Sequence, residues 1–317
     1  SLKNVLYFQA GLGVIANIFL LCFYIFIILG HRPKPTDLIS CQLTFVHTIM
    51  FLTGGDILLT DLFVSLNIKN DFKCKATFYI SRVMRGLSIC VTCLLSLFQA
   101  VTISPCISVL AKFKQKLKKK NMISALIYIW FFNFSVSSDM IFYVGGFTIV
   151  NEMKEMKVTK SCSLLPLNYI IKGLVLTMTT LRDVFLVGVM LTTSAYMVII
   201  LFRHQRQCKH LHSISHLRAS PEKRATQTIV LLVVFFVIMY SVDFIISVTS
   251  VLLWMYDPVV LTVQKVVVNA YPTITPLVQI SFDNRIISML KNLQELWYRV
   301  SSRCRRFGSL HSIPSPV

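Results

Sequence analysis

The chain has 317 residues, of which 55% are hydrophobic and only 14% charged, against about 25% charged in an average soluble protein. Its formal net charge is nevertheless +19. A soluble core cannot hide so much apolar surface and a disordered chain would be polar, so both classes are excluded, and nucleic-acid binding weakens as an account of the charge once the charges are seen to segregate.

A membrane span needs about 20 mostly apolar residues. Runs free of Asp, Glu, Lys and Arg occupy 5–29, 38–55, 86–111, 121–138, 184–202, 225–242 and 266–282. Allowing single charges at the margins, the expected spans are about 5–30, 37–60, 75–104, 121–149, 170–202, 224–254 and 264–282. The first run is too long for the apolar region of a cleavable signal. The reading is therefore an all-α membrane protein. Residues 1–282 form a seven-transmembrane helix bundle, and 283–317 form a tail with a short amphipathic helix at about 284–300.

The connections at 30–36, 104–120 and 203–224, together with the tail, hold 20 of the 32 Lys and Arg residues, whereas the opposite set of loops holds 8. Positive charge favours the cytoplasmic side. The N-terminus is therefore expected outside and the C-terminus inside, as an odd number of spans requires. The basic run KFKQKLKKK at 112–120 sits between two spans. It reads as a topological anchor that could also meet acidic lipids or an intracellular partner, and not as a nucleic-acid reader.

This topology leaves Cys74 and Cys162 outside, where thiols oxidise, and a disulfide between them is expected. Cys90 and Cys93 have C-x-x-C spacing inside the third span, which reads as packing and not as a metal site. The sequon at Asn133 falls inside the fourth span, out of reach of glycosylation. No cofactor is expected.

Charges within spans are costly and tend to be functional. Arg82 and Arg85, three residues apart, share a face of the third helix. At 1.5 Å per residue Arg85 lies roughly 16 Å along that helix from Cys74. Asp243 lies roughly 16 Å, and Asp139 roughly 14 Å, below the outer ends of the sixth and fourth helices. Asp183 is somewhat deeper on the fifth and Asp56 is near the outer end of the second. These six residues are candidates for a ligand cavity open to the outside, with pairing among themselves as the structural alternative. Which Asp meets which Arg stays open. Arg182 and Asp183 are adjacent and project about 100° apart, so they are not expected to line one pocket together.

Pro272 and Pro276 lie four apart in the last span. Each removes a backbone donor and favours a kink, which makes the pair a candidate hinge. Asp283 is a suitable N-cap for the tail helix. There Ile286, Ile287, Leu290, Leu293, Leu296 and Trp297 recur at helical spacing, a pattern suited to the inner membrane surface. Palmitoylation of Cys304 is a further possibility.

The strings HRPKPTDLISCQLTFVH (31–47), RVMRGLSICVTCLLSLFQAVTISP (82–105), SPEKRATQTIVLLVVFFVIMYSVDF (220–244) and NAYPTITPLVQI (269–280) resemble those of the vomeronasal type 1 receptors, and the resemblance covers nearly the whole chain. Thr102-Ile103-Ser104-Pro105 stands where rhodopsin-like receptors carry an acidic-Arg-Tyr motif. Ser81 precedes Arg82 where the family usually shows His. The resemblance implies a G-protein-coupled chemosensory receptor in the plasma membrane. It would bind a small-molecule pheromone or odorant and activate an inhibitory-type G protein. The G protein would meet Ser104, Pro105, Lys112, Lys114, Lys116, Lys223 and Arg224. A bitter-taste-like receptor is the nearest rival. A small membrane transporter is a rival of another class, but it would predict an inverted repeat and broken helices at matching positions. An enzyme is not expected, because no His cluster, G-x-S-x-G or paired carboxylates occur where they could be used.

Overall fold

The computed structural model describes residues 2–30, 33–54, 70–104, 119–138, 141, 144–146, 156–157, 162–164, 169–211, 221–253 and 258–310. Among these are eight helices: α1 (Leu2–Gly30), α2 (Pro35–Gly54), α3 (Asn70–Ile103), α4 (Lys119–Ser137), α5 (Tyr169–Leu211), α6 (Pro221–Leu253), α7 (Pro258–Phe282) and α8 (Asn284–Leu310). Three short strands, β1 (Val144–Gly146), β2 (Met156–Lys157) and β3 (Cys162–Leu164), lie between α4 and α5.

Helices α2, α6 and α7 each begin on a proline, whose missing N–H costs nothing at the first helical position. Helix α2 is also closed by Asp37, whose carboxylate accepts from the Lys34 N–H at 3.0 Å, the reciprocal half of a capping box. Helix α8 starts where expected. The Asp283 carboxylate accepts from the Arg285 N–H at 2.9 Å, while its carbonyl receives the Ile287 N–H at 3.0 Å.

Helix α1 packs on α2 and α7, α7 on α6, and α6 on α5, while α3 touches α2, α4, α5 and α6. Helix α3 is thus the central post of a ring. Its most apolar stretch is 72% buried, against 17% for that of α5. The main core joins Leu43, Ile89, Leu95, Phe98, Met197, Val233, Phe236 and Tyr271 around it.

The outer faces are apolar. Phe8, Ile15, Phe26, Tyr128, Phe131, Phe185, Phe202 and Ile245 are all exposed. The interior holds Asn17, His47, Thr92, Gln99, Asn133, Asp243, Thr275 and Gln279. A water-soluble bundle has the reverse polarity; this one is solvated by lipid. Among the described residues four stretches are long and apolar enough to cross a bilayer: Asn4–Gly30, Phe72–Ile103, Thr177–Arg203 and Thr226–Ile246. Asn121–Ser137 is a shorter apolar helix.

Two differences from the sequence reading stand out. The fourth span, expected to reach 149, ends at Ser137. The Ser138 hydroxyl donates to the Ser135 carbonyl at 2.8 Å, a local bond that competes with helix continuation. The all-α reading holds for the bundle, and the second difference is local: Gly145 and Gly146 disfavour helix and join the short strand β1. The sheet has the order β1-β3-β2 and is antiparallel throughout, with Val144 opposite Leu164 and Lys157 opposite Ser163. Strand β1 packs on α3. The bundle therefore has a Cys74 end, which carries the sheet, and an α8 end.

Candidate functional site

The charges within the bundle meet on three helices. Arg85 of α3 forms an ion pair with Asp243 of α6. Gln264 of α7 donates to the other carboxylate oxygen of Asp243 at 3.0 Å, so one buried carboxylate ties α3, α6 and α7 together. The Arg85 side chain keeps 37% exposure and that of Asp243 only 3%. The guanidinium is thus the accessible member of the pair and the carboxylate the buried one.

A second pair sits beside the first. Arg182 folds back onto its neighbour Asp183 on α5, Nε donating to Oδ1 at 2.8 Å, and its Nη1 donates to Asn133 Oδ1 of α4 at 3.4 Å. Tyr240 of α6 links the two pairs. Its hydroxyl donates to Asp183 Oδ2 at 2.7 Å, and its ring lies 5.9 Å from the Arg85 guanidinium carbon, within cation–π range. Arg82 donates to Thr179 Oγ1 of α5 at 3.1 Å.

A cavity of about 40 Å³ opens against Met50, Arg85, Phe236, Tyr240, Asp243 and Tyr271. That is room for a few waters, far below the ~300–1,000 Å³ of a small-molecule site. Ser88 and Tyr271 of its lining bond to buried groups behind them. His47 Nε2 lies 3.1 Å from Ser88 Oγ, and its ring stands edge-on to Tyr271 at 5.3 Å. Tyr271 also meets Thr92 Oγ1 at 3.1 Å and the Phe236 ring at 4.6 Å.

Of the six expected ligand residues, Arg85 and Asp243 line this cavity. Asp183 stands behind Tyr240 and Arg82 faces α5, so neither is part of the lining. Asp56 and Asp139 lie outside the described residues. Tyr240 and Gln264 escaped the sequence reading, which considered Arg182 but not its bond to Asp183. Tyr240 precedes Asp243 by one helical turn, and that spacing was the available signal for it. Cys74 is buried and disulfide-bonded; the side chain of Cys162, its expected partner, lies outside the described residues. Cys90 and Cys93 are buried free thiols. No group of three or more His, Cys, Asp or Glu residues suited to a metal ion occurs among the described residues.

At the α8 end, Ser104 is buried and its hydroxyl lies 2.5 Å from that of Tyr196. Pro105, Lys112, Lys114 and Lys116, and the side chains of Lys223 and Arg224, lie outside the described residues. Pro272 and Pro276 both fall inside α7. Pro276 cannot donate to the Pro272 carbonyl four residues earlier. The Asn17 amide of α1 takes that place at 2.9 Å.

An apolar exterior and a polar interior that holds paired charges define a multi-pass helical membrane protein. The chain belongs to the vomeronasal organ pheromone receptor family, whose model matches residues 1–292. It is 40% identical to vomeronasal type-1 receptor 90 of Rattus norvegicus over 92% of this chain and 94% of that one. It is 37% identical to vomeronasal type-1 receptor 48 of Mus musculus over 92% of this chain and 96% of the relative. Members of this family are G-protein-coupled receptors of the plasma membrane and not enzymes.

Proposed function

We propose that this chain is a seven-span pheromone receptor that binds a small molecule at its Cys74 end and signals from its α8 end to an inhibitory-type G protein. On this reading the N-terminus and the sheet face outward. Cys74 bonds to Cys162, and α8 lies on the cytoplasmic membrane surface with Leu293, Leu296 and Trp297, all exposed, turned towards lipid. The observation that carries the reading is the Arg85–Asp243 pair on the cavity wall. An ion pair inside a membrane helix bundle is costly, and it is tolerated where it serves a site.

The cavity is too small for a ligand in this form. Binding therefore requires α3, α6 and α7 to part around Asp243, and a ligand favours that state only by its differential affinity for it. A polar ligand group that takes Arg85 from Asp243 supplies such a difference. Arg82, Asp183, Asp139 and Asp56 are the further candidates for contact with the ligand. Pro272 and Pro276 let α7 follow. The G protein then meets Ser104, Pro105, Lys112, Lys114, Lys116, Lys223 and Arg224.

The test is cAMP recording from cells expressing the receptor and challenged with fractionated urine and other secretions. At least one fraction is expected to lower forskolin-raised cAMP in receptor-positive cells alone. A response equal in untransfected cells, or a rise in cAMP, would contradict the reading.

A further inference from the structure

His47 of α2 is fully buried, and its Nδ1 has no partner among the described residues. Its Nε2 bonds the Ser88 hydroxyl of α3 at 3.1 Å. A neutral imidazole carries hydrogen on one ring nitrogen and a lone pair on the other. With the hydrogen on Nδ1, a buried N–H is left without an acceptor, which is the rarer and costlier defect. A charged ring, with hydrogen on both nitrogens, leaves the same N–H orphaned. With the hydrogen on Nε2 only a lone pair goes unused. This balance makes His47 the donor and the Ser88 oxygen the acceptor of their bond.

The hydroxyl hydrogen of Ser88 is then left to donate elsewhere. Thr44 and Thr48 of α2 and Thr102 of α3 return theirs to the carbonyl four residues earlier, at 2.6, 2.9 and 2.8 Å. Ser88 makes no such bond, and none besides that to His47 occurs among the described residues. Ser88 also lines the cavity, one helical turn from Arg85 on the same face of α3. The α3 wall of the cavity therefore presents two donors, a guanidinium and a hydroxyl. Apolar side chains of Met50, Ile89, Phe236 and Val267 surround them.

We propose that Ser88 is a second ligand contact, donating to an acceptor oxygen of the small molecule beyond the group that meets Arg85, and that His47 is the positioning residue that keeps Ser88 turned as a donor. The inference rests on the reading of this cavity as the ligand site. It gives the ligand a chemistry: an apolar body whose polar end carries acceptor oxygens. A group that only donates, such as an ammonium, sets donor against donor on this wall. Without His47 the Ser88 hydroxyl turns back onto a carbonyl of its own helix, as helical serines do, and is lost to the ligand.

The probe is a secretion fraction that activates the parent receptor, with surface receptor counted for every variant. Ser88→Ala is expected to raise the half-maximal dose roughly two- to tenfold, the range of one hydrogen bond. Ser88→Thr keeps the hydroxyl and is expected to match the parent. His47→Leu is expected to reproduce Ser88→Ala, and the two together to do no worse than either alone. His47→Gln offers an amide N–H in place of Nε2–H and is expected to restore the response. In unliganded receptor in lipid nanodiscs, 15N NMR of labelled histidine, with His47 assigned by its loss in His47→Gln, is expected to show hydrogen on Nε2 and none on Nδ1. Hydrogen on Nδ1, or on both nitrogens, overturns the assignment. So does an unchanged dose in Ser88→Ala, an equal loss in Ser88→Thr, or losses that add in the double variant. Arg85→Ala, run in parallel, separates this inference from the reading beneath it. A shift there with none in Ser88→Ala overturns the Ser88 contact alone, and no shift in either overturns the site itself.

Discussion

Gly86 shows how one side chain's absence builds the charged site. A Cβ placed there would collide with Asn133 Oδ1 and sit 3.3 Å from Arg182 Nη1. The missing methyl is what lets α4 and α5 bring those polar groups against α3. Gly86→Ala is expected to lower stability by about 1–3 kcal/mol, the usual cost of overpacking, read as a fall in the thermal midpoint of the detergent-solubilised receptor. At this scale the sequence was informative about depth and silent about partners. Arg85 and Asp243 both came out roughly 16 Å from the outer side by counting residues, and they do pair. Counting could not show that Asp183 is satisfied by Tyr240 and by its own neighbour Arg182. Adjacent Cβ directions diverge by about 100°, but a long, flexible guanidinium can return across that angle.

Prolines, caps and amphipathic spacing were legible among the helices because each acts within a few residues. The end of α4 and the three strands were not. Strand pairing joins 144–146 to 162–164, and no local pattern in the chain announces it. Two further expectations belong here. Asn17 replaces the donor that Pro276 lacks, holding the Pro272 carbonyl and the Gly13 carbonyl with one amide, the latter at 2.7 Å. Asn17→Ala is expected to cost about 1–2 kcal/mol, seen as faster hydrogen exchange around 272–276. Helix α8 is tethered through Arg285, which donates to the two Asp37 oxygens at 2.8 and 3.2 Å, while Ile286 buries completely beside Leu20 and Tyr24 of α1. Asp37→Asn is expected to weaken this root by about 1–2 kcal/mol, less than a dry charge-assisted bond because the Arg285 side chain is nearly half exposed. The hydrogen bonds to Asp37 raise the Arg285 pKa above its ordinary value. A raised cationic group contributes stability fully below its unfolded pKa and loses it only as pH climbs through the folded one. As far as Arg285 is concerned, the protection of α8 against hydrogen exchange, corrected for the intrinsic rate, is therefore expected to be unchanged between about pH 6 and 10.

The composition, both apolar and basic, becomes intelligible for the molecule as a whole. The apolar half faces lipid or fills the core around α3. On the proposed topology the Lys and Arg residues gather at the α8 end, where they orient the chain. The few charges left inside the bundle converge on Arg85, Asp243, Arg182 and Asp183. On the proposed reading those charges form the receptor site, with Arg85, the more exposed member of its ion pair, as the contact for ligand. The most direct measurement is a dose–response curve in cells expressing Arg85→Ala, stimulated with a secretion fraction that activates the parent receptor, with surface receptor counted in parallel. The half-maximal dose is expected to rise at least about tenfold, the equivalent of 1.4 kcal/mol, with surface expression retained. An unchanged curve at equal surface expression would contradict a role for Arg85 in the ligand site.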